Sequence, residues 1–143
     1  MDRKRRSVLA FAAVVGSGLV GIGGLVLRAF LPWITRDPDG RWRLGPRNRF
    51  APGTATLLRR AKAIVVNDGD GLHALTAICT HEGCLVHDTP ARKEITCPCH
   101  GAAYSYRGEV KRGPAQHPLV WLSLTVENGE LVLDPEKEVP PST

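Results

Sequence analysis

The sequence predicts a small all-β head of antiparallel strands, preceded by one N-terminal transmembrane helix. Three observations lead there: a twenty-residue uncharged run near the N-terminus, short apolar runs parted by turn residues beyond residue 53, and four cysteines confined to two short loops. The expected divisions are 1–34 for a signal anchor and membrane helix, 35–53 for a linker, and 54–143 for the folded head.

The anchor comes first. Residues 3–9 read RKRRSVL, and Arg5 and Arg6 followed by a polar residue, Val8 and Leu9 resemble the twin-arginine export signal. From Val8 to Leu27 no residue is charged. Twenty helical residues rise about 30 Å, enough to cross the hydrocarbon core of a bilayer. Ala13, Ser17 and Gly21 recur at four-residue spacing and suit packing against a partner helix in lipid. No A-x-A site follows, which favours an uncleaved anchor over a removed signal peptide. Basic residues flank both ends of the span, so charge alone does not orient it. The export motif does: it implies a single-pass protein of the bacterial cytoplasmic membrane with its head on the periplasmic side.

Residues 35–53 hold three prolines and three glycines with little periodicity, and read as a semi-extended linker. Strand patterns begin with TATLL at Thr54. The runs AIVV and LHALTAI flank NDGDG, a hairpin by its turn residues. Val120, Leu122, Leu124 and Val126 alternate onto one face, and Asn128-Gly129 turns into a strand over Glu130 to Asp134. No segment beyond residue 62 has a helical period. Roughly ninety residues make a core that is marginal by itself, so a staple is expected.

Charge is unevenly spread over a chain of net charge +5. Residues 28–62 carry nine basic and two acidic side chains, whereas 63–143 carry six basic and eleven acidic. A nucleic-acid protein places its basic face on the folded domain. This head is acidic, so nucleic acid is not an expected partner.

The two loops carry the chemistry. CTHEGC spans Cys79 to Cys84 and CPCHG begins at Cys97, giving the pairs Cys79-x-His81 and Cys97-x-x-His100 with Cys84 and Cys99 in the same loops. Two disulfides with idle histidines would leave the position of each histidine to coincidence. A zinc site of two cysteines and two histidines is chemically reasonable but lacks the usual grouping of its ligands. A [2Fe–2S] cluster with two cysteines on one iron and two histidines on the other accounts for both loops. His73, His87 and His117 match no motif and read as surface or turn residues.

The pattern C-x-H-x15-C-x2-H, inside CTHEGC and CPCHG, resembles the Rieske iron–sulfur family, and the likeness runs from about Phe50 to Pro141. It implies a Rieske-type antiparallel β-sandwich with a cluster-binding subdomain and one [2Fe–2S] cluster per chain. By position, Cys79 and Cys97 would bind the inner iron, and His81 and His100 the outer, exposed iron. Cys84 and Cys99 resemble the disulfide that ties the two loops in quinol-oxidising members. Gly113-Pro114-Ala115 resembles the proline-containing third loop that covers the cluster. Tyr104 stands at the family's tyrosine position, whose hydroxyl would hydrogen-bond a cysteine sulfur. Two residues depart from the family pattern: Glu82 replaces a leucine at the exposed tip, and Ala102 replaces a serine that tunes the cluster.

The resemblance implies the Rieske electron-transfer subunit of a bc-type quinol–cytochrome c oxidoreductase. Its partners would be quinol, a cytochrome b-type subunit, a c-type cytochrome and the membrane. His100 would be the quinol's hydrogen-bond and proton acceptor, and the linker would let the head swing between partners. Alternatives are the small Rieske subunit of another exported oxidoreductase (the arsenite oxidase type), a stand-alone Rieske carrier, or a metal-stabilised binding module.

Overall fold

The computed structural model describes residues 34–141. The expected signal anchor and membrane helix, with Arg5 and Arg6, lie outside the described residues. Among the described residues no helix is long and apolar enough to cross a membrane.

The head is all-β, as expected. Its larger sheet contains β1 (Thr35–Arg36), β2 (Trp42–Pro46), β3 (Thr54–Leu58), β4 (Ala63–Asn67), β5 (Leu72–Thr76), β10 (Trp121–Glu127) and β11 (Glu130–Glu138). Their order is β1-β2-β11-β10-β5-β4-β3. The smaller sheet is β6 (His87–Thr89), β7 (Glu94–Thr96), β8 (Ala103–Ser105) and β9 (Val110–Arg112), in that order. Every strand pairing is antiparallel. Single 3-10 turns at Arg47–Arg49, Arg59–Ala61 and Pro90–Arg92 supply the only helical pieces among the described residues.

The run AIVV explains the layering. Successive strand residues point to opposite faces. Ile64 and Val66 enter one apolar cluster with Leu75, Ile95 and Tyr104, so this cluster lies between the two sheets. Ala63 and Val65 enter a second, with Leu44, Leu58, Leu131 and Leu133. That second cluster draws on strands near both ends of the larger sheet, which therefore curls around it. All four residues of the run are fully buried, and each large one contributes about 1.5–3 kcal/mol by leaving water. The hairpin around NDGDG pairs Asn67 with Leu72, and Asp68 Oδ1 accepts the amides of Asp70 and Gly71.

Three expectations change. Residues 35–46 are not a free linker: β1 and β2 extend the sheet, with Trp42 opposite Leu133 and Leu44 wholly buried. Asp37, Glu127 and Glu130 pair with the arginines there, Arg41 reaching Glu127 at 2.7 Å and Arg43 reaching Asp37 at 3.1 Å. A segment paired this way cannot act as a swinging tether over 35–46. The expected apolar face of β10 also breaks, since Val120 and Val126 are exposed. Trp121, Leu122 and Ser123 are buried in succession, and the register on β11 slips between Leu122 and Ser123. Trp121 enters the cluster between the sheets and Leu122 the second cluster, so β10 is covered on both faces there and a simple alternation fails. The slip itself falls on β11, whose partner residue jumps from Glu138 to Asp134.

His73 is the third correction. It is buried rather than on the surface, stacked on Trp121 with ring centroids 4.4 Å apart. Its Nε2 donates to the Tyr106 carbonyl at 2.8 Å. Tyr106 in turn donates its hydroxyl to Asp88 at 2.8 Å, and burial with that carboxylate pushes its pKa up to about 12. Among the described residues no buried side-chain nitrogen or oxygen lacks a hydrogen-bond partner.

Candidate metal centre

The two cysteine loops leave the sheets at the same end of the head and are built alike. After β5, the Cys79 amide donates to the Cys84 carbonyl at 2.8 Å, and the Gly83 amide returns to the Cys79 carbonyl at 3.0 Å. After β7, the Cys97 amide donates to the Ala102 carbonyl at 2.7 Å, and the Gly101 amide returns to the Cys97 carbonyl at 3.1 Å. Gly83 and Gly101 both have φ of +74°, a conformation that glycine adopts without cost. The sequence signal is a glycine four positions after the first cysteine of each loop, which the motif reading passed over.

This shared geometry sorts the donors. Cys79 and Cys97 are free thiols and are buried, whereas His81 and His100 are exposed. The two imidazoles meet edge to face with centroids 5.0 Å apart. Cys84 and Cys99 are joined in a disulfide that ties loop to loop, with Cα atoms 6.6 Å apart. Sulfur therefore faces the core and imidazole faces solvent. Glu82, 62% exposed, brings a carboxylate oxygen to 3.5 Å from His100 Nδ1.

Around the Cys79 sulfur, Thr80 and Tyr104 form a hydrogen-bond chain. Thr80 Oγ1 lies 2.7 Å from the His117 carbonyl, which can only accept, so the threonine proton is spent there. The Thr80 amide donates to the Tyr104 hydroxyl at 3.2 Å. The Tyr104 proton then has two acceptors within reach, Thr80 Oγ1 at 3.0 Å and Cys79 Sγ at 3.2 Å. Burial raises the pKa of the Cys79 thiol. The Tyr104 hydroxyl and the amides of His81 and Glu82 outweigh it, and the thiol ends below its ordinary value. Burial pushes the Cys97 thiol up, reinforced by the neighbouring Cys79.

A third segment closes the site. Ala115 is buried in the same cluster as both free cysteines, and Gly113 lies against the second loop. A Cβ on Gly113 would stand 2.6 Å from Ala102 Cα, so no side chain fits there. Gly113, Pro114 and Ala115 thus sit where the sequence reading placed a covering loop. Thr80, which bonds that loop to the first, carried no sequence signal.

Two buried thiols and two exposed imidazoles are a donor set for iron–sulfur chemistry in which histidines replace two of four thiolates. Fold and donors together define a small β domain organised around a two-loop thiolate and imidazole centre. The Rieske [2Fe-2S] domain family matches residues 44–128, and the chain belongs to that family. Its cofactor is accordingly a [2Fe–2S] cluster.

The cytochrome b6-f complex iron-sulfur subunit of Chlorobaculum tepidum is 42% identical over 92 residues, 63% of this chain and 51% of that protein. The cytochrome b6-f complex iron-sulfur subunit 1 of Trichormus variabilis is 37% identical over 155 residues, 95% of this chain and 85% of that protein. The chain spans about half the length of the first of these relatives. Among solved structures, a chain of the hyperthermophilic respiratory Complex III superposes with a TM-score of 0.53 at 23% identity, over 87% of this chain and 98% of that one. The plasma membrane Rieske protein of Synechocystis gives 0.52 at 24%, over 64% and 97%. At these identities the structures speak to the fold.

Proposed function

We propose that this protein is the membrane-anchored electron-transfer subunit of a bc-type complex, taking electrons one at a time from quinol and passing them to a c-type cytochrome. It works as one subunit of that assembly, on the periplasmic side, beside a cytochrome b-type subunit. The observation that carries this reading is the division of donors at one end of the head, with buried sulfur behind and exposed imidazole in front. Similarity to subunits named for the cytochrome b6-f complex supports it.

In this reading Cys79 and Cys97 bind the inner iron, and His81 and His100 the outer. When bound, the cluster supplies a one-electron couple that imidazole ligands raise to between about −150 and +300 mV, against about −400 mV for plant-type ferredoxins. The residues do the rest. Tyr104 donates to the Cys79 sulfur and favours its anionic form. The Cys84–Cys99 bridge holds the loops together at the solvent face. His100, with a side chain 49% exposed, presents a ring nitrogen that accepts a hydrogen bond from the quinol hydroxyl and then its proton. Residues 1–34 anchor the protein.

The test is turnover in membranes. Quinol added to membranes holding the full chain should reduce its cluster, and a cytochrome b should co-purify with it. A cluster that quinol cannot reduce in membranes that hold its partner subunits would contradict the assignment.

A further inference from the structure

We propose that Glu94 is a positioning residue: clamped on Lys111 and Arg112, it fixes a bulge in β9 and so holds the covering loop, residues 113–117, closed over the cluster site. This rests on the reading of that site as a [2Fe–2S] centre.

Glu94 lies on β7 with its side chain 7% exposed. Lys111 Nζ is 2.9 Å from one carboxylate oxygen and Arg112 Nη1 is 2.7 Å from the other. These cations hold the Glu94 carboxyl below its usual range. Exposed ion pairs contribute little. This carboxylate is covered while both cations are half exposed, so removing the cations leaves a covered charge uncompensated, and removing Glu94 frees two solvated cations from the bulge.

The pairing of two consecutive residues with one carboxylate requires an irregular strand. In a regular strand Lys111 and Arg112 would point to opposite faces. Here Tyr104 pairs with Val110 but Ala103 pairs with Arg112, which leaves Lys111 as the extra residue of a bulge. The bulge turns both cations toward Glu94, two strands away across β8.

The next residue is Gly113, whose backbone runs beside Ala102: a Cβ added there would stand 2.6 Å from Ala102 Cα and 2.9 Å from Ala102 N. Only a residue without a Cβ can lie this near Ala102, and the approach depends on the direction in which the chain leaves the bulge, so a change of direction there lifts Gly113 from the second cysteine loop. The far end of the covering loop is tied by the Thr80 hydroxyl to the His117 carbonyl. The loop therefore has an anchor at each end, and Glu94 makes the first. Opened, it admits water beside the sulfurs, and water favours the more negative, reduced state.

Charge and position make opposite forecasts for the double cation variant, which therefore decides between them. Acting through space alone, Glu94→Gln would raise the midpoint potential by removing a negative charge, and Lys111→Gln with Arg112→Gln would lower it by removing two positive ones. A loosened loop raises it in both variants. The experiment measures the potential of the full-length, cluster-loaded protein together with amide hydrogen exchange at residues 113–117. Both variants are expected to raise the potential and to speed exchange there by about tenfold or more, with β4 and β5 unchanged. Potentials moving in opposite directions with native exchange at 113–117 would overturn the proposal. Should Glu94→Gln fail to fold, the double variant decides: fast exchange and a raised potential support the clamp, and slow exchange with a lowered potential refutes it. A wild-type protein without a histidine-ligated cluster would defeat the reading of the site, while exchange at 113–117 would still judge the clamp.

Discussion

Ala102 is wholly buried beneath the covering loop, at the position where the family pattern has a serine. A serine hydroxyl there would donate to a bridging sulfide and favour the reduced cluster. A hydrogen bond to a charged acceptor is worth roughly 1.5–3 kcal/mol. About 59 mV corresponds to a tenfold change in a one-electron couple. Ala102→Ser should therefore raise the midpoint by tens of millivolts, on the order of 60 mV, in voltammetry. A fall or no change would contradict this role. Tyr104 keeps its bond to Cys79 in either case. A second residue sets a pH dependence. Burial holds His73 below its ordinary pKa, against the opposing pull of the Tyr106 carbonyl and Asp68. The unfolded chain therefore takes up that proton first. The stability tied to neutral His73 is complete above about pH 6.5 and is lost as pH falls below it. Thermal unfolding followed from about pH 7.5 down to 5 should drop more steeply in wild type than in His73→Phe. Equal slopes would show that His73 takes up its proton as readily folded as unfolded.

Loops tied to each other behave as one element, and the Cys84–Cys99 bridge is the tie. The bridge spans a sequence separation of 15, and closing such a loop stabilises by about 3 kcal/mol in the chain-entropy model. Cys84→Ser with Cys99→Ser should still bind iron, because neither residue is a proposed ligand, but its visible absorbance should bleach faster on heating. Unchanged bleaching would show the bridge to be idle. What the sequence disclosed about elements follows from distance along the chain. The β4–β5 hairpin was legible because both strands and the turn lie within one stretch. So were Cys79, His81, Cys97 and His100, since the spacing of each pair is local. β2 was hidden because its partner β11 lies near the other end of the chain, and β1 pairs only with β2; neither shows an alternation of its own. His73 was misplaced because its burial depends on Trp121 and Tyr106, which are remote in sequence. Thr80 and Glu94 act through contacts made only when segments distant in sequence converge, and no spacing encodes that.

At the scale of the whole molecule, export and cofactor chemistry must agree. In the proposed reading the twin-arginine route would carry the head already folded, which suits a domain that takes up its cluster before crossing. Changing Arg5 and Arg6 together to Lys should leave the head on the cytoplasmic side, protected from protease in spheroplasts. Normal exposure of the head in that variant would mean another route carries it. The central claim is that buried sulfur and exposed imidazole at one end of this head hold a histidine-ligated [2Fe–2S] cluster. Electron paramagnetic resonance of the reduced, full-length protein tests it most directly. The account predicts a rhombic signal with a lower average g value than all-cysteine clusters give, lost in His81→Ala or His100→Ala and kept in His117→Ala. A colourless protein carrying zinc, or a signal that survives loss of His100 but not of His117, would contradict it.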